Sequence, residues 1–161
     1  LRQPMAIDLR ETVTALKISS DLERIGDLAK NISKRTKLIN NNLPDNLTQS
    51  IERVGAIVQK QLKLVLDAYT NRSPEIAVDV WEKDEEVDNL TNLCMEQVIK
   101  YLKSGKENVE YGSHLLFVTK NIERIGDHVT NIAEQIYFLV NGSYLEGDRP
   151  KGSQPIVNGE K

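Results

Sequence analysis

Two identical acidic motifs are the clearest sign of chemistry in this sequence. Residues 23–27 read Glu-Arg-Ile-Gly-Asp, and residues 123–127 repeat the same five letters. In each copy the glutamate and the aspartate are four positions apart, so a helix carries both carboxylates on one face, one turn apart. Like charges at this spacing repel, and the glycine between them costs a helix about 0.5–1 kcal/mol relative to alanine. These penalties favour a cation held between the acids and a bulky neighbour packed against the glycine.

The simpler interpretation of both pairs, Glu23 with Asp27 and Glu123 with Asp127, is a solvated helix face that a nearby lysine partly neutralises. Winding the last helix at about 100° per residue gathers its aliphatic residues into one stripe. Glu123 then lies about 130° and Asp127 about 170° from the centre of that stripe. The paired acids therefore point away from the main core, and their spacing alone leaves both interpretations open.

A third acidic segment, residues 81–88, behaves differently. Asp84 lies about 40° and Asp88 about 80° from the apolar line of its helix, at the margin of the core. A carboxylate in such a place suffers a desolvation penalty unless it has a partner. If both acids emerge beside the last helix, a metal site can form there, with Glu123 a more natural ligand than Asp127. Oxygen ligands in this number suit hard or borderline cations and permit a multinuclear site.

Other polar residues near the motifs also have two interpretations. Because the chain holds only two histidines, it cannot assemble a histidine-rich hydrolase site, and we interpret His128 as a helix-surface residue rather than a ligand. Asn31 and Asn131 continue the acidic rows by one turn, where the amide oxygen could join a cation or face solvent. The sequence has no glycine-rich phosphate loop, no cysteine with an activating histidine and no nucleophile-elbow serine. It therefore offers little support for catalysis.

Capping residues, prolines and aliphatic stripes with a 3.6-residue period predict four helices that position these groups. Their expected spans are Pro4 to the asparagine run 40–42, Asp45 to Asn71, Ser73 to Ser104, and Glu107 to Asn141. Asp45 and Ser73 are expected N-caps, and Gly142 is expected to close the last helix. The core line of the third helix is expected to be Val80, Val87, Cys94 and Val98. The short connection before Pro44 favours antiparallel packing of the first helix on the second.

The repeat extends beyond the motifs, since Asn31 and Ile32 recur in the same register as Asn131 and Ile132. Identity at a fixed offset indicates duplication of a structural unit that ends with the motif-bearing helix. The expected units are residues 1–42, the last helix of an incomplete first three-helix bundle; residues 45–145, a complete second bundle; and residues 146–161, a polar, flexible tail. Because the sequence opens at Leu1 without a methionine and enters a helical pattern at once, we expect a fragment.

Composition agrees with an all-α protein. Of 161 residues, 39% are hydrophobic and only 5% aromatic, and the formal net charge is -3. An acidic balance lacks the basic footprint of nucleic-acid-binding domains, and the single cysteine, Cys94, fits a reducing compartment. No apolar run approaches the ~18 residues that cross a bilayer, and no signal peptide is apparent. A cytoplasmic location is therefore expected.

With these features the sequence resembles the PhoU family of phosphate-uptake regulators, which are built from two three-helix bundles. The likeness rests on residues 22–27, 84–88, 121–128 and 131–134. The family's metal motif, an acid followed four positions later by aspartate, matches three pairs: Glu23 with Asp27, Asp84 with Asp88, and Glu123 with Asp127. The likeness extends over roughly residues 1–145, and the two near-identical copies make it specific.

The resemblance implies a non-enzymatic, cytoplasmic and often homodimeric protein that binds a divalent or trivalent metal at the bundle surface, with an iron cluster as one form. It also implies a negative regulator of phosphate-starvation signalling that contacts the ATPase of the phosphate ABC transporter and a sensor histidine kinase. Such a protein meets the membrane only through its partners. Since the sequence lacks the first two helices of the first bundle, we expect weaker metal binding at Glu23 and Asp27 than at the other four acids.

Two hypotheses of other classes stand beside this one. A carboxylate-bridged metalloenzyme would need a concave pocket beside its metal, and the inward-facing Glu-x-x-His spacing of di-iron bundles is missing. A metal-free helical interaction module would leave all the acids solvated. Metal analysis of the purified protein distinguishes the last hypothesis from the other two.

Overall fold

A computed structural model of the chain describes residues 2–39, 43–147 and 149–152. It confirms the predicted all-α class, since every regular element in these ranges is helical. The elements are α1 (Arg2–Thr36), α2 (Asp45–Asn71), α3 (Pro74–Glu82), α4 (Asp84–Lys103), a 3-10 turn (Lys106–Asn108) and α5 (Val109–Asn141). Within the same ranges, no helix is both long and apolar enough to cross a membrane.

Two predicted helix ends are confirmed by their local chemistry. The Ser73 hydroxyl accepts a hydrogen bond from the backbone N–H of Ile76, and Pro74 fills the first helical position, where no N–H is needed. At the end of α5, Gly142 has a φ of 76° and its N–H bonds to the Phe138 carbonyl. This left-handed geometry favours glycine and closes α5.

Other helix ends differ from the prediction. α1 ends at Thr36, before the asparagine run 40–42, which lies outside the described residues. Asp45 is the first residue of α2 rather than its N-cap, a position held by Pro44, and no side chain caps this helix. An acid in the first turn still suits the positive end of the helix dipole.

The predicted third helix is interrupted at Lys83, which separates α3 from α4. Lys83 has φ −81° and ψ 0°, between the helical geometries on either side. α4 then begins with three consecutive acids, whose charges suit a helix N-terminus. The aliphatic period is uninterrupted here, so sequence pattern alone indicates one continuous helix. The break makes Asp84 the first residue of a new helix.

The core runs along the bundle in three consecutive clusters that join α2, α3, α4 and α5. The four residues predicted for the core line of the third helix are all buried: Val80, Val87, Cys94 and Val98. Val80 packs in a cluster with Val129 and Ile136, and Val87 with Val58 and Ile122. The helices of residues 45–141 therefore pack around an apolar core that side chains of α1 also enter.

α1 packs mainly along α5, whereas the short connection before Pro44 predicted packing mainly on α2. Asp21 meets His128 and Arg35 meets His114, so α1 and α5 run antiparallel and form the most extensive helix contact. Side chains of Ile18 and Ile25 enter the cluster shared by α2, α3 and α5. The apolar stripe of α5 therefore decides where α1 packs, and the length of the connection to α2 does not.

Only some apolar side chains of α1 are buried by the other described helices. Ile18, Ile25 and Leu28 are buried, whereas several large apolar side chains of the same helix are exposed. The exposed ones are Met5, Ile7, Leu9, Val13 and Leu16.

Candidate functional site

Asp84 is the most deeply buried acid of the predicted metal motifs, with 2% of its surface exposed. Its Oδ1 accepts a hydrogen bond of 2.8 Å from the Thr130 hydroxyl, on the facing side of α5. Thr130 also bonds the Gly126 carbonyl at 3.1 Å, so its hydroxyl stays close to α5. The predicted position of Asp84 at the core margin, and its need for a partner, are thus confirmed.

Arg149, in the segment that follows α5, supplies the positive charge for this carboxylate. Its Nε lies 2.6 Å from Asp84 Oδ2 and its Nη2 lies 3.0 Å from Asp84 Oδ1, a two-point contact. The same Nη2 lies 3.0 Å from Asp127 Oδ1, and Nη1 lies 3.4 Å from the Asn131 amide oxygen. A planar guanidinium matches a carboxylate in this way and holds it more specifically than a lysine would.

The guanidinium stays charged in this position. Burial opposes its charged form, but the hydrogen bond and charge of Asp84, with the charges of Asp127 and Glu134, outweigh burial and raise the pKa of Arg149. The Arg149 side chain is 17% exposed, against 43% for Asp127. The ion pair is therefore closed on the Asp84 side and open on the Asp127 side.

Asp88, one turn after Asp84, completes the group. Its Oδ2 accepts a 3.2 Å hydrogen bond from the backbone N–H of Gly152. A Cβ atom at Gly152 would lie 2.6 Å from Asp88 Cβ and 2.9 Å from the Asn89 backbone nitrogen. Only glycine allows the tail to approach so closely.

The carboxyl group of Asp88 remains short of positive charge. Burial and the negative charge of Asp84 raise its pKa, and the charges of Asp127 and Glu123 add to that effect. The hydrogen bond from Gly152 works in the opposite direction but does not cancel the increase. We call Asp84, Asp88 and Asp127, with Asn131 at the edge, the acidic cluster.

Glu123 pairs with a lysine of its own helix. Its Oε2 is 2.6 Å from Lys120 Nζ, three residues earlier on the same helix. The expectation that Glu123 is a more natural metal ligand than Asp127 stays a prediction, and in this conformation it is Asp127 that shares Arg149 with Asp84. Asp127 lies one turn nearer the end of α5, from which the tail returns.

The amino-terminal copy of the motif has different surroundings. Glu23 and Asp27 are both exposed on α1, and among the described residues the structure gives neither an ion pair. A Cβ atom at Gly26 would meet nothing within 4 Å, whereas one at Gly126 would lie 3.4 Å from Val87. Among the described residues, the bulky neighbour that the motif predicts is therefore present at Gly126 and absent at Gly26.

His128 belongs to the contact between α1 and α5 rather than to the acidic cluster. Its Nδ1 lies 2.7 Å from Asp21 Oδ1, and both side chains are largely buried. Arg35 and His114 make a second contact between the same helices, 3.3 Å apart. The expected surface position of His128 is therefore wrong, because its ring lies in the contact between α1 and α5.

The donor types of the acidic cluster fit a hard cation, but in this conformation the cation is a guanidinium. Two carboxylates and an amide oxygen contact Arg149, which are the oxygen donors that such ions prefer. In the part of the chain that the structure describes, no three His, Cys, Asp or Glu residues are arranged to hold a metal ion. A metal would require these side chains to rearrange around it.

Two cavities lie elsewhere on the bundle. One, of about 410 Å³, is lined by acids of the α3–α4 break and by Asn89 and Leu90. The other, of about 380 Å³, is mainly apolar and lies between the end of α1, the start of α2 and α5. Asp84, Asp88 and Asp127 line neither cavity, although sequence neighbours of Asp84 and Asp88 line the first one.

Sequence reasoning missed Arg149, Thr130 and Gly152. The tail is rich in glycine and proline, and this composition predicted a flexible segment without a role for its one arginine. The excess of acids near the core margin was the available signal, because a buried carboxylate needs a positive partner.

Comparison with known proteins places these features in a family. The sequence model of the PhoU domain matches residues 1–36 and 51–136. A phosphate-specific transport system accessory protein PhoU homolog of Caulobacter vibrioides (strain NA1000 / CB15N) is 52% identical over 152 residues, or 94% of this chain and 66% of that protein. The Rhizobium meliloti (strain 1021) homolog is 45% identical over 93% of this chain and 64% of its own length. The chain thus spans slightly less than two thirds of these curated relatives.

Solved structures agree with the sequence comparison. The crystal structure of PhoU from Pseudomonas aeruginosa matches with a TM-score of 0.81 and 30% identity, over 89% of this chain and 69% of that one. The phosphate transport system regulatory protein PhoU from Streptococcus pneumoniae matches with a TM-score of 0.78 and 26% identity, over 87% of this chain and 66% of that one. Sequence, repeat and fold agree, and this chain belongs to the PhoU domain family.

Proposed function

We propose that this chain acts as a non-enzymatic regulatory adaptor of phosphate uptake and binds a cation at its acidic cluster. The homologs from Caulobacter and Rhizobium are named as accessory proteins of the phosphate-specific transport system. The Streptococcus structure is named as a regulatory protein of phosphate transport. These names support a regulatory role rather than a catalytic one.

The observation that carries cation binding is the shortage of positive charge at the acidic cluster. Even with Arg149 in place, the pKa of Asp88 is raised by burial and by its acidic neighbours. An additional or more highly charged cation would lower that repulsion. The cluster therefore has an electrostatic reason to bind one.

Asp84, Asp88 and Asp127 would hold a divalent or trivalent metal, and Glu123 would join them once it releases Lys120. The metal, including an iron cluster, would supply the positive charge that these carboxylates lack. Glu23 and Asp27 form a second, weaker site in this proposal, because both acids are exposed and no further acid motif faces them in the described part of the chain. The contribution of the protein is to fix the carboxylates at a helix break and along one face of α5.

The proposed partners are the ATPase of the phosphate ABC transporter and a sensor histidine kinase, which the chain meets in the cytoplasm as a homodimer. Exposed apolar residues of α1, such as Leu9 and Leu16, offer contact area for another protein surface. Signalling is held off, in this proposal, when phosphate is ample. Binding of the purified chain to each partner from Caulobacter vibrioides can be measured by biolayer interferometry, and failure to bind either would contradict the adaptor role.

A metal-free interaction module is the second candidate, and Arg149 is the observation that favours it. Its guanidinium already neutralises Asp84 and Asp127. In that case the acidic cluster would serve only to hold the tail against the bundle.

Metal binding by charge-removing variants distinguishes the two candidates. We expect Asp84→Asn with Asp127→Asn to weaken Mn²⁺ binding at least about tenfold in isothermal titration, and Glu23→Gln with Asp27→Asn to have a smaller effect. Glu82→Gln with Glu85→Gln removes the same charge from the exposed face of the same segment and is the matched control. Loss of binding only in the Glu23 and Asp27 variant would contradict the site assignment, and absence of binding to the parent chain would favour the metal-free module.

A further inference from the structure

The segment 149–152 returns from the end of α5 and docks on the acidic cluster at two points. Arg149 contacts both oxygens of Asp84 and one oxygen of Asp127. Three residues later, the backbone N–H of Gly152 bonds Asp88 in a fit that leaves no room for a side chain. One contact neutralises charge and the other fixes position, so the docking is specific.

We propose that the segment 149–152 is an internal competitor, in which Arg149 occupies the cation position of the acidic cluster and must leave before an external cation binds there. This inference rests on the proposed function, because it concerns access to the same cluster. Undocking of the tail is thereby coupled to cation binding. The chain controls its own site through one arginine.

Arg149 and a metal ion require the same oxygen atoms. Both carboxylate oxygens of Asp84 point to the guanidinium, and Oδ1 also accepts from Thr130. The Asp127 Oδ1 that would complete the ligand set is held by the same Nη2. A cation placed among these atoms would also lie close to the positive charge of Arg149 and be repelled by it. Simultaneous occupancy is therefore unfavourable.

The segment can leave without disturbing the bundle. α5 is closed by Gly142 in left-handed geometry, before the tail begins. None of the three core clusters contains a described residue of the range 142–152. The covalent connection keeps Arg149 at a high local concentration when it is displaced. Docking and release are thus a local equilibrium.

A competitor of this kind weakens the apparent affinity by the ratio of docked to undocked forms. Bidentate, charge-assisted contacts of the type Arg149 makes correspond to a ratio of about ten to a hundred. Arg149→Ala should therefore bind Mn²⁺ about ten- to a hundredfold more tightly than the parent chain in isothermal titration. Lys151→Ala removes the same charge from an exposed position in the same segment and should change the affinity less than threefold.

A second measurement follows the tail itself. Trypsin cleaves after Lys151 only when the segment is free to enter the protease, so docking should slow release of the peptide that follows Lys151. Saturating Mn²⁺ should accelerate this cleavage in the parent chain to the rate of Arg149→Ala, whose cleavage should already be fast without Mn²⁺. A small chromogenic substrate controls for effects of Mn²⁺ on trypsin, and circular dichroism checks that the variant is folded.

The outcomes separate this inference from the proposed function. Tighter Mn²⁺ binding by Arg149→Ala, together with Mn²⁺-dependent cleavage, supports the competitor. Equal affinities for the parent chain and Arg149→Ala overturn the competitor and leave cation binding standing. If neither protein binds Mn²⁺, both the proposed cation binding and the competitor are contradicted. Fast cleavage of the parent chain without Mn²⁺ would show that the segment 149–152 does not dock, and this result contradicts the competitor but not cation binding.

Discussion

The two acids at the start of α4, Asp84 and Asp88, lie at the edge of the core, where burial makes each carboxylate depend on its partners. Asp84 is buried and fully partnered by Thr130 and Arg149. Asp88 is less buried, and its partner among the described residues is the backbone N–H of Gly152, which carries no net charge. Two acids one turn apart thus differ in how well their charge is compensated.

Replacement of Asp88 by asparagine tests that difference. Burial and the charges of Asp84, Asp127 and Glu123 raise the pKa of Asp88 above its ordinary value of 3.8, so folding favours the protonated carboxyl. That favourable contribution is fully present below the ordinary pKa and is lost as pH rises through the raised pKa. In EDTA at pH 7, Asp88→Asn should therefore melt at a higher temperature than the parent chain, and the difference should shrink as pH falls below the ordinary pKa. The amide oxygen of the new side chain can still accept the hydrogen bond from Gly152.

The control is Glu86→Gln, which removes one charge from an exposed position of the same helix. It should leave the melting temperature close to that of the parent chain at both pH values. A lower melting temperature for Asp88→Asn at pH 7 would contradict the repulsion assigned to the acidic cluster.

Two helices carry the same motif, but they use its glycine differently. On α5, Gly126 is buried and lies against Val87, while on α1 Gly26 is exposed and faces open space in the chain described here. The helical cost of glycine is the same in both copies. Only α5 gains close packing in return.

Leucine placed at each glycine measures this asymmetry. Gly126→Leu should lower the free energy of unfolding by about 1–3 kcal/mol, because the larger side chain collides with Val87 and Val58. Gly26→Leu should raise it by up to about 1 kcal/mol through helix propensity. Urea denaturation of the two variants gives both values, and each variant is the control for the other. Equal effects at the two positions would show that the neighbours of Gly126 do not restrict it.

On the scale of the whole molecule, α1 and the three-helix bundle share one core. Ile18 is 4% exposed and packs with residues of α2, α3 and α5, whereas Leu16, two positions away, is 67% exposed. The antiparallel contact of α1 with α5 covers one face of α1 and leaves the other face open. An apolar interface thus holds α1 against α2, α3 and α5.

Alanine at the two positions tests whether α1 is an integral part of the fold. Ile18→Ala should lower the free energy of unfolding by about 2–5 kcal/mol, since it opens a cavity in the shared core. Leu16→Ala, the matched control, should change it by less than about 0.5 kcal/mol. Denaturation that occurs in a single transition for the parent chain and both variants would fit one cooperative unit. A near-neutral Ile18→Ala would mean that α1 does not dock on the bundle.

The sequence by itself determined the features that depend on neighbouring residues. Ser73 and Gly142 mark helix ends because their side-chain or backbone geometry acts within one turn. Aliphatic period placed Val80 and Val98 in the core, and the repeated motif identified the family. These signals are short-range, so they can be read along the chain without knowledge of its fold.

Only the tertiary structure decided which groups meet across the bundle. Arg149 reaches Asp84 across a sequence separation of 65 residues, and Asp127 rather than Glu123 shares it, because the tail returns along the end of α5. α1 lies beside α5 because its buried side chains pack against the apolar stripe of α5. The short connection to α2 does not determine this contact. Charge pairing and apolar coverage act through space, so a flexible-looking tail can carry the residue that completes the site.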